Sequence, residues 1–463
     1  MSEPIQDGEY RSSRTLSRKQ RRVAATATLG ACLAMLGLWA CSGQPAASSN
    51  PAASGTAAAV SAVASALTTP NFSAEDWAWW RGPQRNGEAS ADQSPPLTWN
   101  ESENIAWKTP VPGRGHGSPI VVGERVYLTT ADELEQVQSV HCFERGTGKP
   151  LWATPVHVGN FVTGGNQKST HASSTPACDG ERIYVTFLND DAISCSALSL
   201  DGTLLWQQQI NDYVVHQGYG ASPTIYGPLV LVSAHHKGGG AIAGLDRVTG
   251  EIVWRQERPA TANYTSPIIV NADGRDQLVY TGCNLVASYD PLSGEPLWDM
   301  EGSTTECVTS TVTDGRLVYS TGGYPQNHVQ AVVADGSGEI AWEKNVRVYV
   351  PSLLERDGHL FLVTDDGVAA CWNAADGEEL WKGRIGGTFS SSPVLVGDRI
   401  YVTDESGRTT VFRASTEKFE KLAENQLANV VFATPVIVGS RIYYRGAKLE
   451  GEQRQEWLYC LGE

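Results

Sequence analysis

Positive charge is scarce in this chain. Its 463 residues hold 35 Lys and Arg against 51 Asp and Glu, a formal net charge of −16. Six of those bases and three of those acids lie in residues 1–41, so the remainder holds 29 against 48, a balance of −19. Such a body repels phosphate, which speaks against nucleic acid as a partner. Cysteine occurs nine times, never as CxxC, CxxCH or an adjacent pair. That spacing suggests neither a zinc site nor a disulfide framework, and it offers no haem attachment. Good helix formers are not abundant either, whereas 47 glycines, 14 tryptophans and many β-branched residues point to short strands and tight turns. No nucleophile elbow, phosphate loop, metalloprotease helix or paired-carboxylate pattern stands out.

The N-terminus reads as an address. A basic stretch, RSSRTLSRKQRR at 11–22, precedes the uncharged apolar run 23–40, which ends in LWAC. This predicts a signal sequence over 1–41. LWAC resembles the bacterial lipoprotein box, which implies lipidation of Cys41. An uncleaved signal anchor and a plain cleaved signal are the alternatives, and all three place the body outside the cytoplasm, in the cell envelope on the periplasmic side. Residues 42–72, rich in Ala, Ser and Pro, predict a disordered tether of roughly 30 Å span.

Self-similarity then decides the fold. Strand, turn and strand recur in HGSPIVVGERVYLTT from His116, in SSTPACDGERIYVTF from Ser173 and in six further copies beginning at Gly220, Tyr264, Val308, Tyr349, Ser390 and Phe432. Each copy reads as a β-hairpin. Six of the second hairpins carry a glycine four places before a tryptophan, at Trp152, Trp206, Trp254, Trp298, Trp342 and Trp381. Their spacings of 54, 48, 44, 44 and 39 residues suit four strands with turns. The expectation is an all-β, eight-bladed β-propeller over 73–463, built of four-stranded antiparallel blades. The seventh unit lacks both glycine and tryptophan, which predicts an irregular outer strand. The eighth lacks a fourth strand, and ENIAWKTPV at 103–111 supplies one, with Trp107 as its docking tryptophan. DWAWWRGPQRNG, from Asp76 to Gly87, then packs across the seam or the side of the ring. Cys142, Cys371 and Cys460 fall at matching positions and read as small buried residues.

The SP hairpins, together with TGEIVW, SGEPLW and DGEELW, resemble the quinoprotein-type propellers with PQQ-like repeats. In organisation the chain looks closest to the outer-membrane assembly lipoproteins of the BamB type, which implies a scaffold without cofactor or metal. The other branch of that superfamily implies a dehydrogenase using pyrroloquinoline quinone and calcium. This sequence departs from that branch in its missing vicinal cysteines, its short body and its isolated candidate ligands such as Glu306. The favoured reading is a membrane-tethered scaffold that binds an envelope protein or an extended peptide. The alternatives are a quinone-dependent oxidoreductase of reduced form and a polysaccharide-binding propeller.

In propellers a ligand meets the loops leading into the innermost strands. There stand Arg114, His116, Lys168, His171, His216, Tyr219, Tyr264, Glu306, Tyr349, Phe389 and Phe432. His235, His236, Lys237, Tyr324 and His328 are expected on the same face, with the adjacent His235 and His236 pointing apart and forming no metal site.

Overall fold

The computed structural model describes residues 68–462. The expected signal sequence, Cys41 and most of the tether lie outside them. The chain is in contact with the body from Thr69, whose hydroxyl accepts from the Gly227 amide at 2.7 Å. Phe72 then stands edge-on to Trp79, ring centroids 5.4 Å apart.

The described residues form thirty-two strands in eight antiparallel four-stranded sheets, an eight-bladed propeller without helices. Blades 1 to 7 cover residues 120–158, 177–212, 224–258, 268–301, 312–344, 354–384 and 394–426. The eighth takes Val436–Val438, Arg441–Glu450 and Gln453–Leu461 from one end of the chain and Ile105–Val111 from the other. Trp107 there stands opposite Cys460.

Position in the blade explains the strand sequences. The innermost strands Val394–Val396 and Val436–Val438 are short and wholly buried, and they are uniformly apolar. Outer strands have one wet face, and Ile105–Val111 alternates accordingly. The core lies between blades rather than within them. Cys142 of blade 1 packs in one cluster with Ile183 and Val185 of blade 2, and the same arrangement continues around the ring.

Trp107, Trp152, Trp206, Trp254 and Trp342 each meet the repeat glycine of the next blade, whereas Trp298 meets Gly336 and Trp381 donates to Ser415 O in the glycine-less turn of blade 7. Trp107 donates to Arg145 O at 3.0 Å and Trp152 to Leu200 O at 3.0 Å, each carbonyl belonging to the tight turn of the following blade. The glycine of that turn lies on the indole: a Cβ on Gly202 (φ +91°) would stand 2.7 Å from Trp152. The three repeat-position cysteines now have a reason. Cys142 is the register partner of Trp152, Cys371 of Trp381 and Cys460 of Trp107, while Ala197, Gly244, Ser288 and Ala331 hold that place elsewhere. A small residue is required opposite each large indole.

The seventh blade differs from expectation. Its outer strand, Lys421–Gln426, pairs as those of the other blades do, with the same register shift, here between Val411 and Phe412, and with Ala423 where a tryptophan would stand. Trp99, arriving from the N-terminal segment, fills that place. It stacks on Tyr401, as Trp152 packs on Tyr127 and Trp206 on Tyr184.

Candidate functional site: a blind central funnel

The tryptophan-rich segment does not lie on the side of the ring. It crosses the inner strands and touches every blade in turn. Trp77 pairs with Val121 of blade 1, and Ala78 O accepts from Cys178 of blade 2 at 2.8 Å. Arg85 reaches Ile225 O of blade 3 at 2.6 Å while stacking over Trp79. Trp80 packs on the core shared by blades 4 and 5, and Arg81 donates to Leu353 O at the entry to blade 6. Gly87 and Ala89 bond Leu395 of blade 7, and the Ser94 amide bonds Ser440 in blade 8. Gly82 and Gly87 have φ of +77° and +83°, and each lies against a large side chain, Trp77 and Arg81 respectively. The two glycines let the chain turn back on itself beneath the ring.

Above this plug runs a belt of hydroxyls. The amides of Ser118, Thr175 and Ser222 each donate to the hydroxyl of the equivalent residue one blade on, at 2.9 Å. Ser310, Ser352 and Ser392 do the same at 2.9–3.0 Å. The Ser and Thr of the SP elements thus join the innermost strands edge to edge. Ser310 Oγ is taken instead by the Trp80 indole N–H at 2.8 Å, which fixes Trp80 on the axis.

The result is a cavity of about 760 Å³ floored by Trp80. Of the eleven predicted residues it gathers His116, Lys168, Tyr264, Tyr349, Phe389 and Phe432. The sequence reasoning missed Trp80, Gln217, Arg347, Asp365 and Glu405, which also line it. Repeat alignment could have found Asp365 and Glu405, since Asp365 ends the VTD at 363–365 and Glu405 directly follows the aligned VTD at 402–404.

The other five predicted residues are held elsewhere. Arg114 pairs with Glu133 at 3.4 Å and reaches Gln167 O. His171 stacks on Phe161 and, with Tyr219, lines a smaller pocket of about 190 Å³ formed by blade 2 and the loops on either side of it. Tyr219 donates to Ser233 O at 2.9 Å. Glu306 is buried, with His216 Nε2 at 3.2 Å. The other histidines expected on this face also serve packing: His235 accepts from Arg258 at 3.1 Å, His236 meets Asn211 at 2.9 Å, and His328 contacts Gln330. Among the described residues no group of His, Cys, Asp and Glu converges as metal ligands. The seven cysteines among the described residues are free and buried.

Charge in the funnel is balanced. Lys168, from the loop joining blades 1 and 2, reaches both oxygens of Glu405 in blade 7, at 3.0 and 2.7 Å. Arg347 donates to Gly323 O at 3.0 Å and lies over the Tyr349 ring. The Asp365 carboxylate accepts from the Tyr349 amide at 2.8 Å. Burial raises the Asp365 pKa, with the Tyr349 amide and Arg347 opposing. His116, stacked on Phe432 with centroids 4.2 Å apart, is held well below the usual imidazole range by burial and then by Arg114 and Arg445, so it is neutral at pH 7.

Comparison with known proteins adds a family. The family model described as "Outer membrane protein assembly factor BamB" matches residues 136–324 and 325–450. Tetrathionate hydrolase of Acidithiobacillus ferrooxidans is 22% identical over 353 residues, covering 65% of this chain and 65% of that protein, just under two thirds of its length. Among solved structures, BamB from Moraxella catarrhalis matches with a TM-score of 0.53 at 14% identity, covering 76% of this chain and 98% of that one. The quinohemoprotein alcohol dehydrogenase from Comamonas testosteroni matches with a TM-score of 0.60 at 14% identity, over 88% of this chain and 84% of that one. A europium-containing methanol dehydrogenase gives 0.59 at 12%, over 81% and 90%. At such identities these structures share the fold.

Proposed function

The chain belongs to the family of the outer membrane protein assembly factor BamB, and from that premise we propose that it is an extracytoplasmic scaffold of the cell envelope, lipid-tethered at Cys41, that binds a protein partner through an extended segment. One observation carries the binding mode. The outer edge of blade 2, Leu204–Asp212, is nine residues long, has no charge before its final Asp212, and exposes Leu204 and Leu205. The outer strands of the other blades carry the features that normally block edge pairing. Blade 1 has Pro155 within its strand, and blades 3 to 8 each place one or more charged residues in theirs. An uncharged edge ending a sheet offers a row of backbone donors and acceptors to a further strand.

The quinone reading has less support. A quinone bearing several carboxylates requires cations facing it. Arg114 lies outside the funnel lining, and the two lining cations are engaged, Lys168 with Glu405 and Arg347 with Gly323 O and the Tyr349 ring, while Asp365 and Glu405 add carboxylates of their own. The residues present do not fit that group, and no cofactor is part of the proposal. The test is affinity capture from envelope extract with wild type, a Leu204→Glu/Leu205→Glu variant, and Leu380→Glu on blade 6 as control. Loss of the partner in the first variant alone supports the reading. Recovery of nothing by wild type, while control lipoproteins recover theirs, overturns it.

A further inference from the structure

The blade 2 edge leaves the funnel without a role, and the funnel is built as a pocket rather than a channel. Trp80 of the plug lines it, held by Ser310, and the exposed Lys168 with its partner Glu405 lines it as well. Its volume of about 760 Å³ falls within the range of small-molecule sites.

Three features define what it would hold. Trp80, His116, Tyr264, Tyr349 and Phe432 all line it half-buried, so ring surface is presented on the floor and around the wall. The charged lining residues are two cations and two carboxylates, Lys168 and Arg347 with Asp365 and Glu405, so their formal charges cancel inside a body of strongly negative net charge. The uncharged polar side chains of the lining include Asn166, which donates to Gln217 at 2.9 Å, Ser390, which donates to Glu405 at 2.7 Å, and Thr388; amides and hydroxyls of this kind both donate and accept.

We infer that the funnel binds a neutral polyhydroxylated ring ligand, a sugar of two or three residues, lying against Trp80 and the Tyr264, Tyr349 and Phe432 rings. The C–H faces of a pyranose are apolar and slightly positive, and they suit the negative faces of aromatic rings. Its hydroxyls each donate and accept, matching the amide and hydroxyl groups of the lining. A polyanion gains nothing from a lining of zero net charge, and an unsubstituted hydrocarbon would take these lining groups out of water without offering them a hydrogen bond.

Saturation-transfer NMR and calorimetry on the full chain in detergent test this, using cellobiose, maltotriose and N,N′-diacetylchitobiose, with pyrroloquinoline quinone and tri-alanine as contrasts. At least one sugar is expected to bind. Phe432→Ala should weaken that binding at least tenfold with the melting temperature unchanged, and Gln217→Leu, which leaves every ring in place, should also weaken it. The inference is overturned if none of the three sugars binds, if both variants bind as wild type does, or if the quinone or the peptide binds more tightly than every sugar. The blade 2 capture experiment involves none of these residues, so each proposal can fail alone.

Discussion

Trp99 lies parallel to Tyr401, the ring centroids 6.4 Å apart and the planes inclined by 14°, in the place that its blade's own tryptophan would occupy. Its backbone amide is anchored to Asn425 of the outer strand at 2.9 Å. The N-terminal segment therefore repairs blade 7 before it completes blade 8. Trp99→Ala and Trp107→Ala should each cost about 3–5 kcal/mol as large-to-small changes in a packed core. Urea unfolding of the two variants measures this; a loss below about 1 kcal/mol at Trp99 would show that blade 7 does not depend on it.

Removing the start of the chain should act in steps. A chain beginning near Asn71 should melt close to one beginning near Ser42. A chain beginning near Pro112 lacks the plug, Trp99 and the closing strand, and exposes unpaired edges in blade 8. It is expected to aggregate, as light scattering would show. If it melts like the longest chain and stays monomeric, closure by Ile105–Val111 contributes nothing to stability.

A glycine at the interblade turn is required on two grounds. Gly202 has φ +91°, and its missing Cβ would sit in contact distance of both the Trp152 ring and Thr154. Gly202→Ala should cost about 1–3 kcal/mol through overpacking, with added backbone strain. Gly274, also at positive φ but with nothing within 4 Å of a Cβ, is the matched control that reports backbone strain alone. Equal losses at the two positions, measured by thermal unfolding, would remove Trp152 from the argument.

Burial pushes the Glu355 carboxyl up to about 7, with the charges of Asp314, Asp357 and Glu88 adding and the Gly358 amide opposing. An acid raised in the fold binds its proton more tightly there than in the unfolded chain. Its contribution is fully present below about pH 4.5 and is lost as pH rises toward 7. Buried histidines act in the opposite sense: burial lowers His141 to about 4, so its contribution is lost as pH falls from about 6.5. The difference between wild type and Glu355→Gln isolates the carboxyl. Glu355→Gln should gain in relative melting temperature across pH 5 to 7, and a constant difference would refute the assignment.

The repeats made the ring legible because a blade is a local pattern. Strand, turn and a tryptophan followed one another at regular distance, and the missing fourth strand of the last unit pointed to Ile105–Val111. What lay beyond reading were contacts that no local spacing encodes. Trp80 reaches Ser310 across 230 residues, and Trp99 meets a strand 326 residues away. For the same reason the funnel was half legible. Residues just before the SP elements, such as His116 and Phe432, were placed correctly by repeat position. Lys168 was named without its partner, because Glu405 lies in another blade. Arg114 and Glu306 found neighbours, Glu133 and His216, that hold them out of the lining.

The order of the strands in blade 8 also sets a timetable. On a chain made from its N-terminus, the plug, Trp99 and Ile105–Val111 emerge first, yet their partners in blades 7 and 8 are the last to appear. About 340 residues separate Ile105–Val111 from Gln453–Leu461, so this pairing has the greatest loop to close. Seven blades must wait as an open arc, with the face of blade 1 that packs on blade 8 uncovered, until the final strand arrives. The closing step is therefore the slow and vulnerable one, and a companion that shields the waiting segment would act at that moment.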